Sequence, residues 1–90
     1  MLQQVIEKIV NKFGDTNQLI IAMEECSELT KEISKYIRTK NNKEQLIEEL
    51  ADVCIMIEQI RYIVDISETD LYEMMLKKLK RTEERYLKRE

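Results

Sequence analysis

The spacing of apolar residues predicts a helix at the start of the chain. Residues 2–13 carry them three or four positions apart, at Leu2, Val5, Ile9 and Phe13, which places all four on one face of an α-helix. Gly14 follows directly, where a left-handed residue commonly ends a helix. The motif GDTN, residues 14–17, therefore indicates a turn.

A second, longer helix is predicted after this turn. Asp15 or Thr16 can cap its N-terminus, and the helical periodicity continues to about Arg38. One face carries Leu19, Ala22, Cys26, Leu29, Ile33 and Ile37. The roughly opposite side carries Ile20, Met23 and Thr30. A helix that is apolar on more than one side is usually covered by more than one neighbour.

The segment TKNNK, residues 39–43, interrupts the pattern and predicts a second turn. Asn41 or Asn42 can cap a third helix, which is predicted from about Lys43 to Val64. Its nearly continuous apolar stripe consists of Leu46, Leu50, Val53, Ile57, Ile60 and Val64. We expect this stripe to form part of the core.

Ser67 and Asp70 open a fourth predicted helix. They have the spacing of a capping box, with aspartate in place of the usual glutamate. The apolar positions that follow are Leu71, Met75, Leu79 and Tyr86. Because no stretch has the pattern of a strand, a linker or a repeat, the sequence predicts one all-α domain over residues 1–90. We expect either a compact four-helix arrangement or a dimer of helical hairpins.

Composition agrees with a helical protein and narrows its partners. The chain has 90 residues, one glycine, no proline and 37% charged residues. A net charge of −3 and a pI near 5.1 give no overall attraction to nucleic acid or to an anionic membrane. No apolar run approaches the roughly 18 residues of a membrane span, and the first residues lack a signal core. The expectations are therefore no nucleic acid partner, no membrane partner and a cytoplasmic location.

The cysteines and the lack of histidine limit the chemistry. Cys26 and Cys54 form no CxxC pair, and the chain has no histidine, so a tetrahedral zinc site lacks its usual ligands. We expect both cysteines to be reduced core thiols. Any catalysis must then use carboxylates, lysine, tyrosine or a metal-activated water.

Acidic residues border the apolar faces of the second and third helices. On the second helix Glu25 and Glu28 lie about 60° apart, with Glu32 between them and Gln18 nearby. On the third, Glu49 and Asp52 have the same i, i+3 spacing. Partial burial of several carboxylates requires compensation by protonation, by pairing with lysine or arginine, or by a cation. Without histidine or thiolate ligands, the cation that fits best is magnesium.

The competing interpretation is that these acids are ordinary solvated residues. Glutamates are common on exposed helices, and Glu28 or Glu24 could simply form a surface ion pair with Lys31. One acidic pair favours this interpretation. Two pairs on consecutive helices, both beside predicted core positions, make the two interpretations about equal.

The order of the motifs resembles a known family. EECSE followed by EELAD is similar to the ExxE, spacer, ExxD signature of the MazG-like all-α nucleoside triphosphate pyrophosphatases. Glu25 and Glu28 match ExxE, Glu49 and Asp52 match ExxD, and the spacer has twenty residues. The segment KLKRTEER, residues 78–85, is similar to the family's C-terminal basic pattern. Together these motifs cover roughly residues 17–86.

The resemblance implies a four-helix, MazG-like bundle and an activity. It implies magnesium-dependent hydrolysis of a (d)NTP between the α and β phosphates, giving (d)NMP and pyrophosphate. It further implies that the four motif carboxylates are the catalytic residues and the Mg²⁺ ligands: Glu25, Glu28, Glu49 and Asp52. One of these four, or the neighbouring Glu24 or Glu48, would accept the proton.

The resemblance also implies roles for residues outside the acidic motifs. Lys78, Arg81 and Arg85 would bind the phosphate chain, although cations near a helix C-terminus are also ordinary complements of its dipole. Gln18, Tyr62 and Tyr86 are candidates for contact with the base or sugar, and each is equally well a packing or surface residue. Members of this size associate, which predicts a homodimer or a homotetramer.

Two other functions compete with the enzyme. One is a catalytically inactive helical oligomerisation or regulatory module of the same fold, whose activity would survive replacement of Glu49 or Asp52 by alanine. The other is a nucleic-acid-binding protein that uses its basic last helix. The acidic net charge and the lack of aromatic residues among those basic positions argue against it.

Overall fold

The structure is a computed structural model that describes residues 2–87. These residues form four α-helices and no β-strand: α1 (Leu2–Phe13), α2 (Asp15–Thr39), α3 (Lys43–Val64) and α4 (Glu68–Tyr86). The all-α fold class and all four helices are thus confirmed, with ends within about two residues of the predicted ones. Within this range, no helix combines the length and the apolar character needed to cross a lipid bilayer.

At two of the three predicted N-caps, the capping differs from the expectation. Gly14, and not Asp15 or Thr16, occupies the N-cap position of α2. The reason is that one residue connects α1 to α2: the Gly14 N–H donates to Val10 O at 2.8 Å, and its carbonyl accepts from Gln18 N at 3.1 Å. This leaves no position for a capping side chain.

The third helix has the predicted residue at its start but not the predicted bond. Asn42 lies at the N-cap of α3, yet its side chain makes no capping hydrogen bond there. At the fourth helix the prediction is confirmed, because Ser67 Oγ accepts from Asp70 N at 3.0 Å. Short left-handed C-caps, Lys40 after α2 and Asp65 after α3, complete the turns.

The core lies between α1, α2 and α3. Helices α2 and α3 form an antiparallel hairpin, and α1 packs against both. The buried apolar residues are Ile6, Val10, Ala22 and Met56. Three polar residues are buried with them: Gln18, Asn42 and Gln59. This is a small core for a chain of 90 residues, and nearly half of its buried positions are polar.

Helix α4 lies apart from this core. None of its residues is buried, and the described chain extends over 52 × 35 × 23 Å. The radius of gyration is 16.2 Å, against about 12 Å for a globular domain of this length. The chain is therefore less compact than the predicted four-helix arrangement.

Several positions predicted to be in the core are exposed within one chain. Leu50 is 47% exposed, Ile57 40% and Val64 56%. Cys26 and Cys54 are also exposed free thiols, so the prediction of buried thiols is wrong for the single chain. The apolar stripe is therefore open to solvent at these positions, and α4 does not pack closely over it.

Replacement of Gly14 by alanine is expected to lower the free energy of unfolding by about 1–3 kcal/mol. Gly14 has φ 94° and ψ 150°, a backbone region that is essentially restricted to glycine. A Cβ at this position would meet no atom within 4 Å, so the cost comes from the backbone alone. Urea unfolding of Gly14→Ala measures it, and an unchanged midpoint would contradict the strained geometry.

Candidate metal centre

Three carboxylates converge between α2 and α3. Glu25 lies on α2, and Glu49 and Asp52 lie on α3. One carboxylate oxygen from each lies within 4.8 Å of the other two, and all three residues are half-buried. We call Glu25, Glu49 and Asp52 the carboxylate cluster.

The antiparallel hairpin explains why these residues meet. Glu49 and Asp52 are three positions apart, so they lie on the same face of α3. Glu25 lies on α2, one turn after the buried Ala22, and Asp52 lies on α3, one turn before the buried Met56. The cluster is therefore next to buried positions of both helices.

Two members of the cluster, Glu25 and Glu49, have pKa values raised above that of an isolated glutamate. A hydrogen bond with Asp52 is the largest cause that raises the pKa of Glu25 above its ordinary value of 4.5, followed by burial and by the charges of Asp52, Glu49 and Glu28. Burial is the largest cause that raises the pKa of Glu49, followed by the neighbouring charges. The folded chain therefore concentrates negative charge that it does not itself neutralise.

One oxygen of the cluster lacks any partner. Glu49 Oε2 is buried and makes no hydrogen bond. An acceptor that is shielded from water and has no donor is unfavourable, and more so when it is charged. Within residues 2–87, no lysine or arginine pairs with Glu25, Glu49 or Asp52. Pairing with lysine or arginine therefore does not compensate the negative charge of the cluster, which leaves protonation or a bound cation.

The stability of the metal-free protein is expected to fall as the pH rises from 4.5 towards neutrality. Because the pKa values of Glu25 and Glu49 are raised on folding, their stabilising contribution is fully present below 4.5 and is lost as the pH rises through the raised values. Urea midpoints measured across this window in EDTA test it. A double variant, Glu25→Gln with Glu49→Gln, should show a smaller slope, and an identical slope in both proteins would contradict it.

Glu28, the fourth predicted ligand, lies beside the cluster but outside it. It is exposed, and Lys31 Nζ donates to its Oε1 at 3.3 Å. This is the surface pair that the competing interpretation predicted. Its charge still acts on the cluster, since it contributes to the raised pKa of both Glu25 and Glu49. One turn of α2 separates it from Glu25, and rotation of an exposed side chain costs little.

The predicted phosphate-binding cations are distant from the carboxylate cluster in sequence. They lie on α4, which makes few contacts with the other helices. Lys78, Arg81 and Arg85 are exposed on α4. Within the part of the chain that the structure describes, none of them forms an ion pair with the cluster.

The three candidates for base or sugar contact occupy different environments. Gln18 is only 4% exposed, and its Nε2 donates to Gln59 Oε1 at 2.8 Å. Tyr62 donates its hydroxyl to Asn11 Oδ1 at 3.0 Å. Tyr86 is exposed near the end of α4. Gln18 is the one of the three that lies in the α2–α3 seam with the cluster.

Two further residues line this seam: Gln59, which the sequence analysis did not identify, and Asn42, which it considered only as a helix cap. Both are almost completely buried. A signal for Gln59 was present, because it lies seven positions after Asp52 and therefore on the same face of α3. Gln59 is polar and lies outside the apolar stripe of α3, so the hydrophobic pattern does not predict its burial.

Comparison of the chain with protein-family models, with curated proteins and with solved structures finds no match.

Proposed function

We propose that this protein is a magnesium-dependent nucleoside triphosphate pyrophosphohydrolase. It would cleave a (d)NTP between the α and β phosphates and release (d)NMP and pyrophosphate. The observation that carries the proposal is the convergence of Glu25, Glu49 and Asp52 within 4.8 Å. These are residues that the resemblance to MazG-like enzymes assigns to the active site, and they come from two separate motifs.

The donor set fits magnesium. All three groups are carboxylates, and hard oxygen ligands suit this ion. The unpartnered Glu49 Oε2 and the raised pKa values of Glu25 and Glu49 mark negative charge that a cation would neutralise. Half-burial leaves one side of the cluster open, which suits an ion that keeps several waters and commonly contacts phosphate oxygens.

The chain's own residues would then act on the substrate and the water. Glu25, Glu49 and Asp52 would hold the ion, with Glu28 as the fourth carboxylate from the same motif. When bound, magnesium would neutralise charge on the triphosphate and favour attack by water. Water would attack a phosphorus atom next to the α–β bridging oxygen, the bond between that phosphorus and the bridging oxygen would break, and a carboxylate of the site would take the proton from the water.

The active form is proposed to be a homodimer or a homotetramer. The chain exposes 7582 Å² of accessible surface, against about 5500 Å² for a folded monomer of this mass. The excess, roughly 2000 Å² per chain, is in the range that obligate homodimers bury. It includes large apolar side chains on α2, α3 and α4, such as Ile37, Ile57 and Leu79.

Assembly would also determine whether the basic residues of α4 can reach the carboxylate cluster. For Lys78, Arg81 and Arg85 to contact a triphosphate at the cluster, α4 has to pack over an α2–α3 hairpin, either its own or that of another copy. Arginine would then bind phosphate oxygens with two parallel hydrogen bonds.

The competing function is an inactive oligomerisation module of the same fold. The large exposed apolar surface favours association but says nothing about turnover. If this function were correct, replacement of Glu49 or Asp52 by alanine would leave the biological activity intact.

A panel of NTPs and dNTPs tests the proposed activity. Each nucleotide is incubated with the protein and Mg²⁺, and pyrophosphate is measured. We expect release from at least one nucleotide, and loss of that release in EDTA. Folded protein that releases pyrophosphate from none of them would refute the proposal.

A further inference from the structure

Three polar contacts join α2 to α3 and its N-cap, and they are evenly spaced along α2. On α2 the residues involved are Gln18, Glu25 and Glu32, each seven positions after the last. Seven residues are nearly two helical turns, so all three lie on one face, about 10.5 Å apart. The carboxylate cluster is therefore the middle of three polar layers in the seam between the helices.

The first layer has the same register as the cluster. Gln18 Nε2 donates to Gln59 Oε1 at 2.8 Å, and Glu25 meets Asp52. From Gln18 to Glu25 is seven residues forward on α2, and from Gln59 to Asp52 is seven residues back on α3. Because the helices are antiparallel, the partner that Gln18 selects on α3 determines the residue that faces Glu25.

The third layer is at the other side of the cluster. Asn42 is 1% exposed, and its Nδ2 donates to Glu32 O at 3.0 Å and to Glu32 Oε1 at 2.7 Å. This is why Asn42 does not cap α3 although it lies at the N-cap position. The bonds tie the start of α3 to the last part of α2.

The first and third polar layers contribute little to the free energy of unfolding. Gln18 Oε1 and Asn42 Oδ1 are buried without any hydrogen-bond partner. An apolar pair in place of two buried, partly satisfied amides is often neutral or stabilising. What a buried polar pair supplies is geometric: it favours one register, whereas apolar contacts tolerate several.

We propose that Gln18, Gln59 and Asn42 are positioning residues, which hold α2 and α3 in the register that places Glu25 against Glu49 and Asp52. They would act through the cluster without touching the substrate. For Gln18, this assigns a role different from contact with the base or sugar. The effect of these residues on catalysis rests on the proposed function, whereas their effect on the helix register does not.

The test replaces both glutamines by leucine, Gln18→Leu with Gln59→Leu. The parent is expected to bind Mn²⁺, measured by titration calorimetry and by the loss of the free-ion EPR signal. The double variant should bind it at least about tenfold more weakly, as is typical when groups that orient metal ligands are removed. Its metal-free free energy of unfolding should be equal to or higher than that of the parent.

A metal-free readout separates register from metal binding. In ¹H–¹⁵N spectra the parent should give one amide signal per residue, and the double variant should give doubled or broadened signals in α2 and α3. Gln3→Leu is the matched control, because it removes a glutamine that bonds Glu7 Oε2 at 3.0 Å on the exposed side of α1. The control should leave both readouts unchanged.

Asn42→Ala tests the third layer independently and should also weaken Mn²⁺ binding. The inference is overturned if the double variant keeps single signals and an affinity within twofold of the parent. It is also overturned if the double variant fails to fold, because the pair would then serve stability. If the parent binds no Mn²⁺ while the double variant loses its single set of signals, the proposed function fails and the register assignment holds.

Discussion

Replacement of Asp52 by asparagine is expected to lower Mg²⁺-dependent pyrophosphate release at least about 100-fold. The same change should raise the free energy of unfolding of the metal-free protein. Both effects have one cause, which is that Asp52 adds a negative charge beside Glu25 and Glu49. An asparagine amide removes that charge and can donate a hydrogen bond to Glu25. A stability gain coupled to a loss of activity is typical of a functional site.

The two measurements are steady-state pyrophosphate release and urea unfolding in EDTA. Glu44→Gln is the matched control, since it removes one exposed carboxylate from the first turn of the same helix. It should leave the rate within about twofold and slightly lower stability, because it weakens the interaction of an acid with the helix N-terminus. An Asp52→Asn protein that retains full activity would refute the assignment of the cluster.

Substitution of Ile57 by lysine is expected to dissociate the proposed homo-oligomer. Ile57 is 40% exposed in the single chain and lies on the apolar stripe of α3 with Leu50 and Val64. Burial of a lysine in an apolar interface without a partner is costly, so the dissociation constant should rise at least about 100-fold. The monomer fold should survive because the position already contacts solvent.

Light scattering across a dilution series measures this effect. The parent should have a mass two or four times that of the 10.8 kDa chain, and Ile57→Lys should approach the mass of one chain. Gln45→Lys, an exposed position on the same helix, adds the same charge outside the stripe and should not change the mass. A parent protein that is monomeric at high concentration would contradict the oligomer.

The helices could be predicted because periodicity and turn residues determine them locally. Gly14 ended α1, and Ser67 started α4, through bonds to residues at most four positions away. The prediction of Asp15 or Thr16 as the cap was wrong, because the single connecting residue has a positive φ and is therefore glycine. Such a short connection cannot be distinguished from a longer turn by residue type alone.

The carboxylate cluster could also be predicted from the sequence, but for a different reason. The spacing within each motif placed Glu49 and Asp52 on one face, and the margin of the apolar face placed Glu25 at the seam. The exposed ion pair of Glu28 with Lys31 could not be predicted, because a side chain at the edge of an apolar face can point either into the seam or towards solvent. The partner of Gln18 was missed since it depends on the register between two helices.

Burial was the least predictable property. The stripe that includes Leu50, Ile57 and Val64 indicates an apolar surface, but the pattern does not say whether the same chain or another copy covers it. The same limit applies to Cys26 and Cys54, which are exposed in the single chain.

The most direct test of the proposed function is ³¹P NMR of a triphosphate that the protein turns over in Mg²⁺. The result we predict is the appearance of pyrophosphate together with a nucleoside monophosphate in equal amounts, and neither product with Asp52→Asn. Formation of a nucleoside diphosphate and orthophosphate, or no turnover of any triphosphate by folded protein, would contradict cleavage between the α and β phosphates.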